Sequence, residues 1–189
     1  MSARGRVRTW IRRIAAAGTA AIALGAGYGA LGWWVFPSLI VVPLRDAACL
    51  SLGLSRREVT VAGHSWPYLE AGPADGPPMV FLHGFGTSKE AMMQMASHFA
   101  GAGWRVVAPD LPGFGDHAYH DGEVHDAAFY VRSIGAFMDA VGMPRATVVG
   151  TSMGGALAAE TAIEAPDRVG ALVLLSPAGV RPPVRNAFM

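Results

Sequence analysis

Hydrophobic and polar positions follow one pattern at the start of the chain and another after it. An uncharged run extends from Ile14 to Leu44, with Arg12 and Arg13 before it and Arg45 after it. A helix rises 1.5 Å per residue, so about 20 apolar residues cross a hydrocarbon core about 30 Å thick. The richest part, Ile14 to Phe36, is long enough and meets Pro37, where a helix loses a backbone donor. The pattern predicts a basic cytoplasmic segment over 1–13 and a transmembrane anchor over 14–36. Arg4, Arg6, Arg8, Arg12 and Arg13 would hold the amino terminus inside and send the remainder across, with Trp33 and Trp34 at the interface. A cleaved signal segment shares the basic start, but its apolar part spans only about 7 to 15 residues. The anchor is therefore preferred, with secretion after cleavage as the alternative. In both cases the body lies on the exported, extracytoplasmic side.

Past a linker over 37–55 the pattern shortens. Glu58 to Ala62 alternates polar and apolar residues, and Trp66 to Glu70 resumes after Gly63 and His64, which predicts a hairpin. Pro78 to Leu82 is a continuous apolar run, as in a strand buried on both faces. Arg105 to Ala108, Ala146 to Val149 and Val169 to Leu175 read as further strands. Between them, Ser88 to Gly101, His125 to Val141 and Met153 to Glu164 read as helices. Phe129, Ile134, Phe137 and Val141 recur at helical spacing before Gly142 and Pro144 end the pattern. Strands alternating with helices predict an α/β fold, a mostly parallel sheet with helices on both faces and right-handed crossovers.

Composition narrows the function. The chain is 52% hydrophobic and 15% charged, with a mean hydropathy of +0.33, which excludes a disordered protein. A single cysteine, Cys49, excludes a disulfide framework and a cysteine-based zinc site. The net charge of +1 hides an amino-terminal arginine cluster and an acidic remainder. The body therefore lacks the basic face that nucleic-acid binding requires. Gly27 to Gly32 fits the dinucleotide pattern G-x-G-x-x-G, but no strand precedes it, so it is set aside.

The candidate chemistry lies at Gly150-Thr151-Ser152-Met153-Gly154, a G-x-S-x-G between a strand and a helix. A serine on so tight a turn takes a strained backbone and needs glycines around it, where side chains would clash. Ser152 also meets a helix amino terminus, which favours developing negative charge. It is the candidate nucleophile. His83-Gly84-Phe85-Gly86 follows the strand ending at Leu82 and suits an oxyanion loop. Removing one oxyanion donor typically costs about 2.7 to 4 kcal/mol of barrier. The backbone N–H groups of Phe85 and Met153 are the candidate donors. His83, before a glycine at the turn, is read as a structural hydrogen-bonder rather than the base.

These motifs, taken with Asp110-Leu111-Pro112-Gly113-Phe114-Gly115 and Ala165-Pro166-Asp167-Arg168-Val169, resemble the α/β-hydrolase superfamily over residues 56–180. Within it the chain is similar to exported or membrane-anchored bacterial lipases and esterases. The resemblance implies a serine hydrolase of carboxylic esters that forms an acyl-enzyme on Ser152. It also implies a small ester or acylglycerol substrate, with no cofactor and no metal. The superfamily orders its triad as serine, acid, histidine. Here all six histidines (64, 83, 98, 117, 120, 125) precede Ser152, and Glu160, Glu164 and Asp167 do not occupy the acid's place. The expectation is a carboxy-terminally truncated form, with 181–189 beginning a lid. It should be nearly inert, because a serine without a base is a weak nucleophile, and it should expose an apolar edge strand.

His117 stands where the superfamily commonly has serine. His117, His120 and His125 show no zinc-ligand spacing, so 117–126 is expected as a solvated loop. Met92, Met93 and Met95 read as helix packing. Two alternatives stand beside the esterase. One is a non-catalytic membrane-tethered binding protein. The other is a different chemistry on the same fold, such as haloperoxidase or carbon–carbon hydrolase activity. Serine at the elbow tells against dehalogenases and epoxide hydrolases, which use aspartate there.

Overall fold

The computed structural model describes residues 38–117 and 124–179, together with helical positions 19, 24–27 and 29. The chain divides into two compact units, Met1–Ala48 and Cys49–Met189. Apart from those helical positions, the expected anchor over 14–36 lies outside the described residues. Among the described residues no helix is long and apolar enough to cross a membrane. Within the expected linker over 37–55 the chain forms a helix, α1 (Ser38–Ser51), with Pro43 inside it. The proline and the β-branched Ile40, Val41 and Val42 weaken the helical signal in the sequence, whereas Leu44, Ala47 and Ala48 sustain it.

The second unit is built on six strands: β1 (Ser55–Val61), β2 (His64–Ala71), β3 (Pro78–Leu82), β4 (Arg105–Pro109), β5 (Ala146–Thr151) and β6 (Val169–Leu175). Their order is β1-β2-β4-β3-β5-β6. β1 and β2 form the expected hairpin, closed by Ala62 and Gly63 at φ 50° and 84°. That pair of positive φ values gives the turn a twist matching the strands. β2 meets β4 antiparallel, and β4, β3, β5 and β6 run parallel. The connecting helices are α2 (Met93–Gly101), α3 (Ala127–Ala140) and α4 (Met153–Glu164). The first turn of the helix expected from Ser88 is a 3-10 turn over Lys89–Met92. Asp126 caps α3, its side chain accepting the Phe129 N–H at 2.8 Å.

The central strands are apolar throughout because both faces are buried. On β3, Met79 and Phe81 join a core with Leu54, Ala96, Ala108 and Val149. Val80 and Leu82, on the other face, join Ile134, Phe137, Met138 and Leu157. Met92 is buried in the first of these cores, with Met93 and Met95 packed against it. β6 differs. It closes one side of the sheet, and Leu172, Val173 and Leu174 stay about two-fifths exposed.

Candidate active site

The turn from β5 into α4 requires glycine at two positions and leaves little room at a third. A Cβ on Gly150 would lie 2.2 Å from Gly154 O, and one on Gly154 would lie 2.3 Å from Leu82 O. One on Gly155 would lie 3.0 Å from Gly150 O. Their absence lets the start of α4 rest against the ends of β5 and β3. Ser152 sits at the apex with φ 51° and ψ −117°, a conformation costly for any residue with a side chain. Backbone bonds hold it there: its N–H donates to Leu175 O at 3.1 Å, and its carbonyl accepts from Ala156 at 3.1 Å and Ala178 at 2.9 Å. The side chain is exposed and makes no capping hydrogen bond to α4.

The loop after β3 touches this serine. A Cβ on Gly84 would lie 3.4 Å from Ser152 Cβ and 3.9 Å from Oγ. Phe85 follows, its ring largely exposed and set edge-on against Phe114 at 5.4 Å. The Phe85 N–H has no hydrogen-bond partner among the described residues. Met153 is the first residue of α4, where a helix leaves N–H groups without an internal acceptor. The two expected oxyanion donors are thus the residue that follows Ser152 in the chain and the residue that follows Gly84, whose Cβ position lies against Ser152.

His83 is fully buried beneath the loop. Its Nδ1 lies 2.9 Å from Gly84 O, and its Nε2 accepts the Leu111 N–H at 3.0 Å. A ring that accepts at Nε2 and faces a carbonyl at Nδ1 is neutral, with its proton on Nδ1. Burial pushes its pKa below the ordinary 6.5, against the upward pull of the Gly84 carbonyl and Asp110. With both nitrogens committed to backbone, His83 holds two loops together.

The sequence reading missed a charged cluster beside it. Lys89 and Asp110 are both buried, and Lys89 Nζ lies 2.5 Å from Asp110 Oδ2 and 2.8 Å from Asp116 Oδ2. Arg56 closes the cluster from β1, 2.8 Å from Glu90 and 2.7 Å from Asp116. Burial alone would lower the Lys89 pKa, but hydrogen bonds to Asp110 and Asp116 outweigh it and raise the ammonium above its usual value. One signal was available: Lys89 is the sole lysine among 15 basic residues.

The loop expected to be solvated from His117 begins buried. The His117 ring is 4% exposed and packs edge-on against Trp66 at 4.7 Å, because Trp66 lies in the core and recruits it. Residues 118–123, including His120, lie outside the described residues. His125 stacks on Phe129 at 4.6 Å. Among the described residues no group of three His, Cys, Asp or Glu side chains is placed to hold a metal ion.

A mostly parallel sheet flanked by helices, with a strained serine where a strand turns into a helix and a glycine-rich loop against it, defines an α/β hydrolase. The chain belongs to that family: the alpha/beta hydrolase fold matches residues 77–188, more than half of its length. It is 36% identical over 116 residues to 2-hydroxy-6-oxo-6-phenylhexa-2,4-dienoate hydrolase of Comamonas testosteroni, covering 60% of this chain and 40% of that protein. Over 148 residues it is 28% identical to monoacylglycerol lipase abhd6-B of Xenopus laevis, covering 74% and 42%. It also superposes on the crystal structure of a membrane phospholipase A with a TM-score of 0.75 and 31% identity, covering 92% of this chain and 55% of that one. The chain thus spans about half or less of the length of these relatives.

Proposed function

We propose that the protein is a serine hydrolase of carboxylic esters, of the esterase or acylglycerol lipase type. The observation that carries this reading is Ser152 itself, exposed, uncapped and held in a strained turn against the Gly84 loop. Ser152 Oγ attacks the ester carbonyl and gives up its proton to solvent water, and the carbonyl oxygen becomes an oxyanion held by the Phe85 and Met153 N–H groups. Collapse expels the alcohol, which takes up a proton, and leaves an acyl-enzyme that water hydrolyses. His83 is not the base in this scheme, because both of its nitrogens are occupied. The superfamily places the histidine after the serine, and residues 153–189 contain none, so the reaction on these 189 residues alone is slow.

The substrate is a small ester or acylglycerol, a reading supported by the likeness to a monoacylglycerol lipase and a membrane phospholipase A. The arginine-led apolar run over 14–36 anchors the protein in a membrane with its body on the exported side. Alkaline carbonate extraction of membranes should leave the protein in the pellet, and release of the full-length chain would reject the anchor.

The test of the site is hydrolysis of p-nitrophenyl butyrate by the parent chain and by Ser152→Ala. A slow rate that the substitution removes supports the assignment, and an equal rate in the two proteins rejects it. A second reading, hydrolysis of an oxo-dienoate, draws on the likeness to the Comamonas protein. It would show as Ser152-dependent bleaching of such a dienoate with butyrate ester left intact.

A further inference from the structure

The loop beside Ser152 is anchored at both ends by one segment, residues 110–116. At its start, His83 takes the Leu111 N–H on Nε2 and faces Gly84 O through Nδ1. At its end, Lys89 binds Asp110 twice, through its backbone N–H to Oδ1 at 2.7 Å and through Nζ to Oδ2 at 2.5 Å. Between these anchors, Thr87 folds back onto Gly84 O, with its N at 3.3 Å and Oγ1 at 2.8 Å. The anchoring segment is itself wrapped around the same carboxylate. The Asp116 N–H donates to Asp110 Oδ2 at 2.8 Å, and a Cβ on Gly115 (φ +59°) would lie 2.3 Å from Asp110 Cγ. Phe85, with no internal hydrogen bond for its N–H, lies between these two anchors in the chain.

We infer that Lys89 and Asp110 are positioning residues for the reaction at Ser152: their buried pair sets where the Phe85 N–H points. This rests on the proposed reading of Ser152 as nucleophile. Lys89 touches no reacting atom. A buried ion pair adds little net stability over an apolar contact of the same volume, so its use here is geometric. The Asp110 carboxylate fixes two backbone N–H groups and one ammonium in direction as well as distance, which an apolar contact does not. The outer pairs of Arg56 with Glu90 and Asp116 tie the same frame to β1.

Two measurements on the 189-residue protein test the pair. Amide exchange at Thr87 reads the loop, and Ser152-dependent hydrolysis of p-nitrophenyl butyrate reads the oxyanion site. Without a triad base the remaining rate comes largely from the oxyanion donors, so it responds directly to their placement. Lys89→Met should speed Thr87 exchange about tenfold or more beyond the change at Val148 in β5. It should also lower kcat about tenfold or more, with KM within about twofold, because small misplacements of this kind cost rate rather than binding. Lys89→Arg should restore most of both. Ile134→Val, a core substitution that destabilises without touching the loop, should leave Thr87 in step with Val148.

Thr87 exchange that stays in step with Val148 in Lys89→Met overturns the inference, and so does faster exchange with kcat unchanged. A parent rate no greater than that of Ser152→Ala defeats the reading of the nucleophile instead, and Thr87 exchange then still decides whether the clamp exists. Should Lys89→Met not fold, Asp110→Asn puts the same question: its one side-chain oxygen can still accept a backbone N–H, while the other position becomes an amide donor and the charge is lost.

Discussion

Gly154→Ala puts one methyl group where the start of α4 meets the backbone at the end of β3. Its Cβ would lie 2.3 Å from Leu82 O, 2.5 Å from His83 O and 2.6 Å from Leu82 C. Ordinary Cβ contacts begin near 3.4 Å, so α4 and the end of β3 must separate by roughly 1 Å. All three obstructing atoms are backbone, so no side chain can swing aside. Overpacking of this kind costs typically about 1 to 3 kcal/mol, and the upper half of that range applies where nothing can yield. At roughly 2 to 4 °C per kcal/mol for a chain of this size, the melting temperature should fall by about 4 to 12 °C. The measurement is thermal unfolding by circular dichroism, with urea titration at 25 °C to confirm an unchanged m value. Gly101→Ala is the matched control: Gly101 ends α2 at an ordinary φ with open space at its Cβ, so alanine there should be neutral or stabilising by up to about 1 kcal/mol. A Gly154→Ala protein that melts within about 1 °C of the parent, well inside the expected shift, would refute the packing argument for the elbow.

Three further outcomes are expected. Ser152→Gly and Ser152→Ala both remove the hydroxyl, but only glycine relieves the strain at φ 51°, so the glycine protein should be the more stable by about 1 kcal/mol in urea titration. Because burial holds His83 below its ordinary pKa of 6.5, the unfolded chain gains that proton first as pH falls. Stability should therefore be lost on acidification below pH 6.5 down to the folded pKa, at up to about 1.4 kcal/mol per pH unit. His83→Gln should flatten that part of the profile, and an unaltered slope would reject it. Arg168 meets the Asp139 carboxylate at 2.6 and 2.8 Å on the exposed faces of α3 and the turn after α4. Arg168→Ala should cost no more than about 1 kcal/mol in urea titration, and less in added salt.

Most of the element order could be read from the residues. The runs at Pro78–Leu82 and Val169–Leu175 fall where the structure places β3 and β6, and the helix at Met153–Glu164 matches residue for residue. Short apolar runs punctuated by glycine and proline leave the backbone few alternatives. Where local signals conflicted, the reading failed. α1 forms through Pro43, and the turn at Lys89–Met92 is tighter than the α-helix expected. His117 was assigned to solvent because its neighbours in the chain are polar, yet it is buried against Trp66, 51 residues earlier in the numbering.

The glycine spacing around Ser152 made the elbow legible because the clash it avoids is local: Gly150 and Gly154 are four residues apart and meet each other. Hydrophobic periodicity and local sterics were therefore enough for the strand and helix order and for the position of the serine. The tertiary structure alone decided that His83 braces a loop, that Lys89 pairs with Asp110 across 21 residues of chain, and that Gly84 lies against Ser152. Those contacts join residues far apart in the chain, and only the sheet order β4-β3-β5 brings the three loops that carry them to one end of the fold.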